Sequence, residues 1–154
     1  MIASLVSHSP AQFIRKLATL SRRDWVSFVQ AQWALVLAQA AVWHRPIGSL
    51  ATPASSAATA ADPARMAEAR HVAASVLRAA RFGVFRPQCL VRSVALSNML
   101  AARGIDGAVL RIGVRRQDGE FLAHAWVELA GETIGDADDH VGTFVPLTNV
   151  DVHR

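Results

Sequence analysis

Three residues in the second half of the chain carry the side-chain groups of acyl-transfer chemistry. Cys89 is the only cysteine, and it begins a predicted helix directly after Gln88. Free N–H groups and the helix dipole at such an end stabilise a thiolate. His124 lies within a predicted strand, and Asp136 ends the next predicted strand. These types suit a nucleophile, an acid/base and an orienting acid, with the Cys89 N–H and the Gln88 side chain as candidate oxyanion donors.

The spacing of His124 and Asp136 can bring both to one face of an antiparallel sheet. Opposite residues of an antiparallel hairpin have numbers with a constant sum. A three-residue loop at 129–131 places His124 opposite Asp136, whereas a two-residue loop at 130–131 sends Asp136 to the other face. Gly131 suits the left-handed residue of a three-residue turn. We therefore expect the three-residue loop and a contact between His124 and Asp136.

A metal site is the competing interpretation of the same region. Its candidate ligands are His124, Asp136, Asp138, Asp139 and His140. They show no recognised metal-ligand spacing, and the chain has no Gly-rich phosphate loop, so we predict neither a metal nor another cofactor. Each candidate also has a structural interpretation, as a packed cysteine, a bonded histidine or a solvated acid. If the hairpin register slips, Asp138 or Asp139 replaces Asp136 as the orienting acid.

The elements that must position these residues follow from hydrophobic periodicity. A capping pattern at Ser9-Pro10 begins a first helix, and steps of three and four predict further helices over 22–43, 63–81 and 89–102. Alternation then predicts strands over 108–115, 121–129 and 132–136. Helices followed by an antiparallel meander indicate the α+β class.

The helix predicted over 22–43 carries a stripe of large apolar residues. Its members are Trp25, Val29, Trp33, Val36, Ala40 and Trp43. No charge interrupts the chain from Trp25 to Trp43, which approaches the length of a membrane span, although serine and glutamines do interrupt it. We expect this helix to be buried against the rest of the domain. A partner-facing helix and a membrane-associated helix are the alternatives.

Length and charge limit the remaining possibilities. A chain of 154 residues fits one domain and can fold without disulfides. Residues 1–103 contain 12 Lys and Arg against 3 Asp and Glu, whereas residues 104–154 contain 4 against 9. The arginines are scattered, so nucleic-acid binding is not expected. No secretory signal is evident, which favours the cytoplasm. We expect a helical region with an Ala/Ser-rich linker over 1–61 and a catalytic core over 62–154.

Several short segments together resemble a known family. Residues 86–93 (RPQCLVRS), residues 112–114 (IGV), residues 124–128 (HAWVE) and Asp136 are similar in order and spacing to the leader-peptidase half of the lasso-peptide B proteins. These proteins are transglutaminase-like cysteine proteases. The resemblance covers about residues 82–147.

The resemblance implies a transglutaminase-like, papain-like core in which a Cys-bearing helix packs on an antiparallel sheet. It makes Cys89 the nucleophile, His124 the acid/base and Asp136 the orienting acid. The substrate would be a ribosomally made precursor peptide, cut between leader and core. Residues 1–80 are predicted as helices and a linker, without the strands that a fused recognition domain needs, so the chain resembles the split form, which receives the leader from a separate leader-recognition protein. The resemblance also implies an ATP-dependent lasso cyclase as a partner. An acyl transferase that uses an amine and a non-catalytic partner-binding module are the alternatives.

Overall fold

Helices precede strands along the chain. The structure, a computed structural model, describes residues 21–46 and 62–147. The elements are α1 (Arg22–His44), α2 (Pro63–Phe82), α3 (Cys89–Ala101), β1 (Ala108–Gln117), β2 (Glu120–Leu129), β3 (Glu132–Ile134), α4 (Asp138–Val141) and β4 (Val145–Pro146). The strand order is β3-β2-β1-β4, with every neighbouring pair antiparallel. The α+β class is confirmed; the helix predicted at Ser9-Pro10 and the linker at 49–61 lie outside the described residues.

The starts of the first two helices follow from their capping residues. Ser21 and Asp24 form a reciprocal capping box at α1, and Asp62 accepts a hydrogen bond from the Ala64 N–H where Pro63 opens α2. The Ser21 hydroxyl, followed by its backbone N–H, holds the pKa of Asp24 below its ordinary value of 3.8. The ionised carboxylate therefore stabilises the folded state above that pH, and this contribution is lost as the pH falls through the lowered pKa.

The three long helices pack together, with α3 against β1 and β2 and α2 against β3. Their buried residues form one cluster with Leu110, Val127, Leu129 and Ile134 from the strands. The buried residues of α2 include Met66, Ala69, Val72, Ala73, Val76 and Ala80, whereas Leu77 is 39% exposed. A second, small cluster contains Trp126, Val141 and Phe144.

α1 is packed on its neighbours, but not through the face that carries its large apolar residues. Its buried residues are Ser27, Ala31, Leu35 and Ala38, and it contacts α2 and α3. The members of the predicted stripe lie outside this face, and Trp33 is 65% exposed. Small side chains allow the helix axes to approach closely, which leaves no space for indole rings between them. By length and composition α1 could also cross a membrane.

The hairpin between β2 and β3 is tighter than predicted. Leu129 pairs with Glu132, so the turn consists of Ala130 and Gly131, both with positive φ, 50° and 84°. Two consecutive residues of positive φ are typical of a two-residue hairpin turn. The predicted three-residue loop is therefore wrong, and β3 ends at Ile134 instead of residue 136. If the strand continued in this register, Asp136 would face away from His124.

Candidate active site

Cys89 is the first residue of α3, as the sequence predicts. The preceding Gln88 is the N-cap residue, but its side chain makes no capping hydrogen bond. The first-turn N–H groups of α3 therefore lack the side-chain acceptor that often occupies a helix start. The Cys89 thiol is unpaired and half-buried. It thus lies at the N-terminal, positive end of the helix dipole of α3.

His124 is held on β2 by a cluster of aromatic rings. It is 8% exposed, and its ring stacks on Trp126 with a centroid separation of 6.2 Å. The ring of His140 meets it edge-on at 4.9 Å between centroids, and Phe144 lies at 5.1 Å. Rings on several sides restrict the rotation of the imidazole, so its nitrogens have fixed directions.

Asp136 contacts His124 directly. The His124 Nε2 atom is 2.6 Å from Asp136 Oδ2, and Asp136 Oδ1 accepts a hydrogen bond of 2.9 Å from the Ala137 N–H. An ionised carboxylate can only accept, so Nε2 carries the proton of this bond and Nδ1 is left for proton exchange. Both carboxylate oxygens are thereby engaged, which fixes the orientation of Asp136.

Gly135 explains how this contact forms despite the hairpin register. β3 ends one residue earlier, and Gly135 has a φ of +80°, a conformation that disfavours side chains. A Cβ atom at this position would lie 3.2 Å from Ala73 Cβ and 3.2 Å from Leu96 Cδ2. The chain therefore bends where it passes closely over α2 and α3, and the bend returns Asp136 to His124.

Cys89 and Asp136 line the same small cavity. Its volume is about 20 Å³, enough for about one water molecule. Ala125 and Trp126, which follow His124 on β2, also line it, whereas His124 and Gln88 do not. Among the described residues the Cys89 thiol makes no hydrogen bond to His124 or Asp136.

The two aspartates predicted as replacements for Asp136 lie apart from the contact between His124 and Asp136. Asp138 and Asp139 are exposed in α4, and neither forms a hydrogen bond with His124 in the described part of the chain. Within residues 21–46 and 62–147, no group of three or more His, Cys, Asp or Glu side chains is close enough to hold a metal ion.

Several residues of the site were not predicted. The bend at Gly135 could have been predicted, because a glycine inside a predicted strand suggests a bend. The position of Ser93, a polar residue one helical turn after Cys89, could also have indicated a role at the site. No feature of the sequence predicts the packing of Phe144 on His124, because this contact depends on the path of the chain after α4.

Comparison with known proteins shows the family of the chain. The model of the transglutaminase-like superfamily matches residues 32–149. The chain belongs to this superfamily. This transglutaminase-like protein is also similar to the Microcin J25-processing protein McjB of Escherichia coli, with 48% identity over 54 residues. The aligned stretch is 35% of the present chain and 24% of McjB, so it spans about a quarter of that relative's length. No solved structure matches the chain.

The arrangement in this transglutaminase-like protein is suited to nucleophilic chemistry at a carbonyl group. A thiol at a helix start can attack, and the adjacent N–H groups can bind a developing oxyanion. An imidazole held through Nε2 by Asp136 can exchange a proton through Nδ1. No step of this chemistry requires a metal ion or an organic cofactor.

Proposed function

We propose that this transglutaminase-like protein is a cysteine peptidase that removes the leader from a ribosomally made lasso precursor peptide. The main support is the bond of 2.6 Å between His124 Nε2 and Asp136 Oδ2, beside a cavity that Cys89 and Asp136 line. The similar Escherichia coli protein is a Microcin J25-processing protein, and leader removal is a processing step.

In the first half of the proposed reaction, the Cys89 thiolate attacks the carbonyl carbon between leader and core. A C–S bond forms, and the carbonyl electron pair moves onto oxygen, where the Cys89 N–H stabilises it. Gln88 is the candidate for a second donor. The tetrahedral intermediate collapses, the C–N bond breaks, and the His124 imidazolium gives its proton to the leaving amine. The core peptide departs, and the leader remains as a thioester on Cys89.

In the second half, water hydrolyses the thioester. Neutral His124 takes a proton from the water molecule as its oxygen attacks the thioester carbon. The C–S bond breaks, which restores the Cys89 thiolate and the His124 imidazolium. Asp136 keeps the ring oriented and stabilises its positive charge in both halves.

The proposed reaction also defines the partners. A separate leader-recognition protein presents the leader, and an ATP-dependent lasso cyclase then uses the amine of the freed core. Both are proposed from the resemblance of the Cys89 and His124 segments to the lasso-peptide B proteins. All three proteins would act in the cytoplasm.

Mass spectrometry of the products tests the proposal. The protein is incubated with precursor and recognition protein, and the two fragments should together have the mass of the precursor plus one water. Cys89→Ala should lower the rate by several orders of magnitude, as loss of a nucleophile does. Ser97→Ala, at a half-buried position of the same helix, is the matched control and should cleave normally.

Two results would contradict this function. A fragment that carries an added amine in place of the water oxygen indicates an acyl transferase. Cleavage by Cys89→Ala at the rate of the unchanged protein excludes Cys89 as the nucleophile, and absence of cleavage by the unchanged protein leaves a partner-binding module.

A further inference from the structure

Ser93 connects the helix that carries Cys89 with the strand that carries His124. Its hydroxyl donates a hydrogen bond of 2.9 Å to the carbonyl oxygen of Ala125. Ser93 follows Cys89 by one helical turn, and Ala125 directly follows His124. Both partners are buried, with Ser93 6% exposed. One hydrogen bond, shielded from water, therefore joins the two elements close to the reacting groups.

This bond lies where the sheet leaves an acceptor unpaired. β3 pairs with residues 127–129 of β2 and with none before them. The Ala125 carbonyl lies beyond that paired stretch, and a buried carbonyl needs a donor. Ser93 supplies it. The Ser93 hydroxyl of α3 thus supplies the donor that a longer third strand would have supplied.

The same bond lies in the wall of the cavity. Ser93 and Ala125 both line it, together with Cys89 and Asp136. α3 also packs on β2 through apolar side chains, but such contacts have little directionality. A hydrogen bond depends on distance and angle, so it fixes the position of the helix along the strand more closely than the apolar contacts do.

We propose that Ser93 is a positioning residue whose hydrogen bond to Ala125 sets the distance between the Cys89 thiol and the His124 ring. The inference rests on the proposed cysteine chemistry. Ser93 acts through α3 and β2 and has no contact with substrate. Without the bond, α3 moves relative to β2, the peptide still binds, and attack by Cys89 slows, because such attack is sensitive to a displacement of about 1 Å.

Ser93→Ala and Ser75→Ala form a matched pair. Ser75 is 1% exposed, and its hydroxyl donates to the His71 carbonyl of its own helix at 3.0 Å. Both substitutions thus remove a buried, bonded hydroxyl, but only Ser93 bridges α3 and β2. We expect Ser93→Ala to lower kcat about 10-fold to 100-fold with KM unchanged. Ser75→Ala should retain kcat. Equal kcat values in both variants would overturn the inference.

A second pair of variants keeps the side-chain volume at position 93 constant. Ser93→Thr and Ser93→Val introduce side chains of nearly equal volume, and only threonine can donate to Ala125. Threonine should retain kcat, and valine should show the loss expected of alanine. Equal kcat in these two variants would show that the hydroxyl does not matter. This comparison also replaces the alanine variant if that protein does not fold.

Alkylation separates this inference from the proposed peptidase function. Cys89 is the only cysteine, so the mass of the intact protein reports its reaction with iodoacetamide. If His124 assists the thiol, Ser93→Ala should slow alkylation and Ser75→Ala should not. This readout holds even if no leader is cleaved. Unchanged alkylation in folded Ser93→Ala would overturn the positioning role, whereas absent cleavage together with slowed alkylation contradicts the peptidase function alone.

Discussion

At the scale of single residues, the contact between His124 and Asp136 has a direct consequence for proton transfer. The carboxylate binds Nε2 and also accepts the Ala137 N–H. Rotation of the carboxylate would break both bonds, and rotation of the imidazole is opposed by the surrounding rings. The geometry therefore keeps Nδ1 as the nitrogen that is available to exchange a proton.

Asp136→Asn should lower kcat/KM for leader cleavage by about 10²-fold or more, because a neutral amide stabilises an imidazolium less well than a carboxylate. The loss should be smaller than in His124→Ala, which removes the proton-transfer group itself. Steady-state kinetics on the precursor peptide measures both effects.

Asp138→Asn is the control for the charge change, since Asp138 is exposed and forms no hydrogen bond with His124 among the described residues. It should retain activity. Full activity in Asp136→Asn together with loss in Asp138→Asn would reassign the orienting acid to α4.

At the scale of elements, helix starts were more predictable than strand register. The starts of α1 at Arg22 and of α3 at Cys89 appear as predicted, because helix starts depend on a few neighbouring residues. The turn after β2 depends on Ala130, which adopts a positive φ of 50°. Nothing in its residue type signals that conformation. The predicted contact between His124 and Asp136 is present, but it arises from a bend instead of the predicted strand pairing.

That bend can be tested with two glycines of similar backbone conformation. Gly131 and Gly135 have φ values of 84° and 80°. A Cβ at Gly131 meets nothing within 4 Å, whereas at Gly135 it crowds Ala73 and Leu96. Alanine at either position should lower the free energy of unfolding by about 1–2 kcal/mol from backbone strain. Only Gly135→Ala should also reduce cleavage, because the crowding displaces Asp136.

Denaturant unfolding and cleavage kinetics on both alanine variants measure these effects. If Gly135→Ala retains the activity of Gly131→Ala, then Asp136 does not depend on the bend for its position.

At the scale of the whole molecule, the burial of α1 shows a limit of hydrophobic periodicity. Periodicity ranks side chains by their free energy of transfer from water, and this ranking favours the tryptophan stripe as the inner face. The interface with α2 and α3 instead selects small side chains, such as Ala31 and Ala38. Side-chain volume governs close helix packing, and the sequence of one helix does not state how near its neighbours will be.

Two leucines of α1 test whether this helix is part of the folded domain. Leu35 is fully buried and Leu37, two residues later, is 64% exposed. The same substitution can therefore be compared at a buried and at an exposed position of α1. Leu35→Ala should lower the free energy of unfolding by about 2–5 kcal/mol, because it leaves a cavity among three helices. Leu37→Ala should change it by no more than about 0.5 kcal/mol. Urea unfolding of the full chain, followed by circular dichroism, measures both. Equal free energies of unfolding for the two variants would contradict this prediction. They would show that neither leucine contacts α2 or α3, as expected if α1 leaves the domain to enter a membrane.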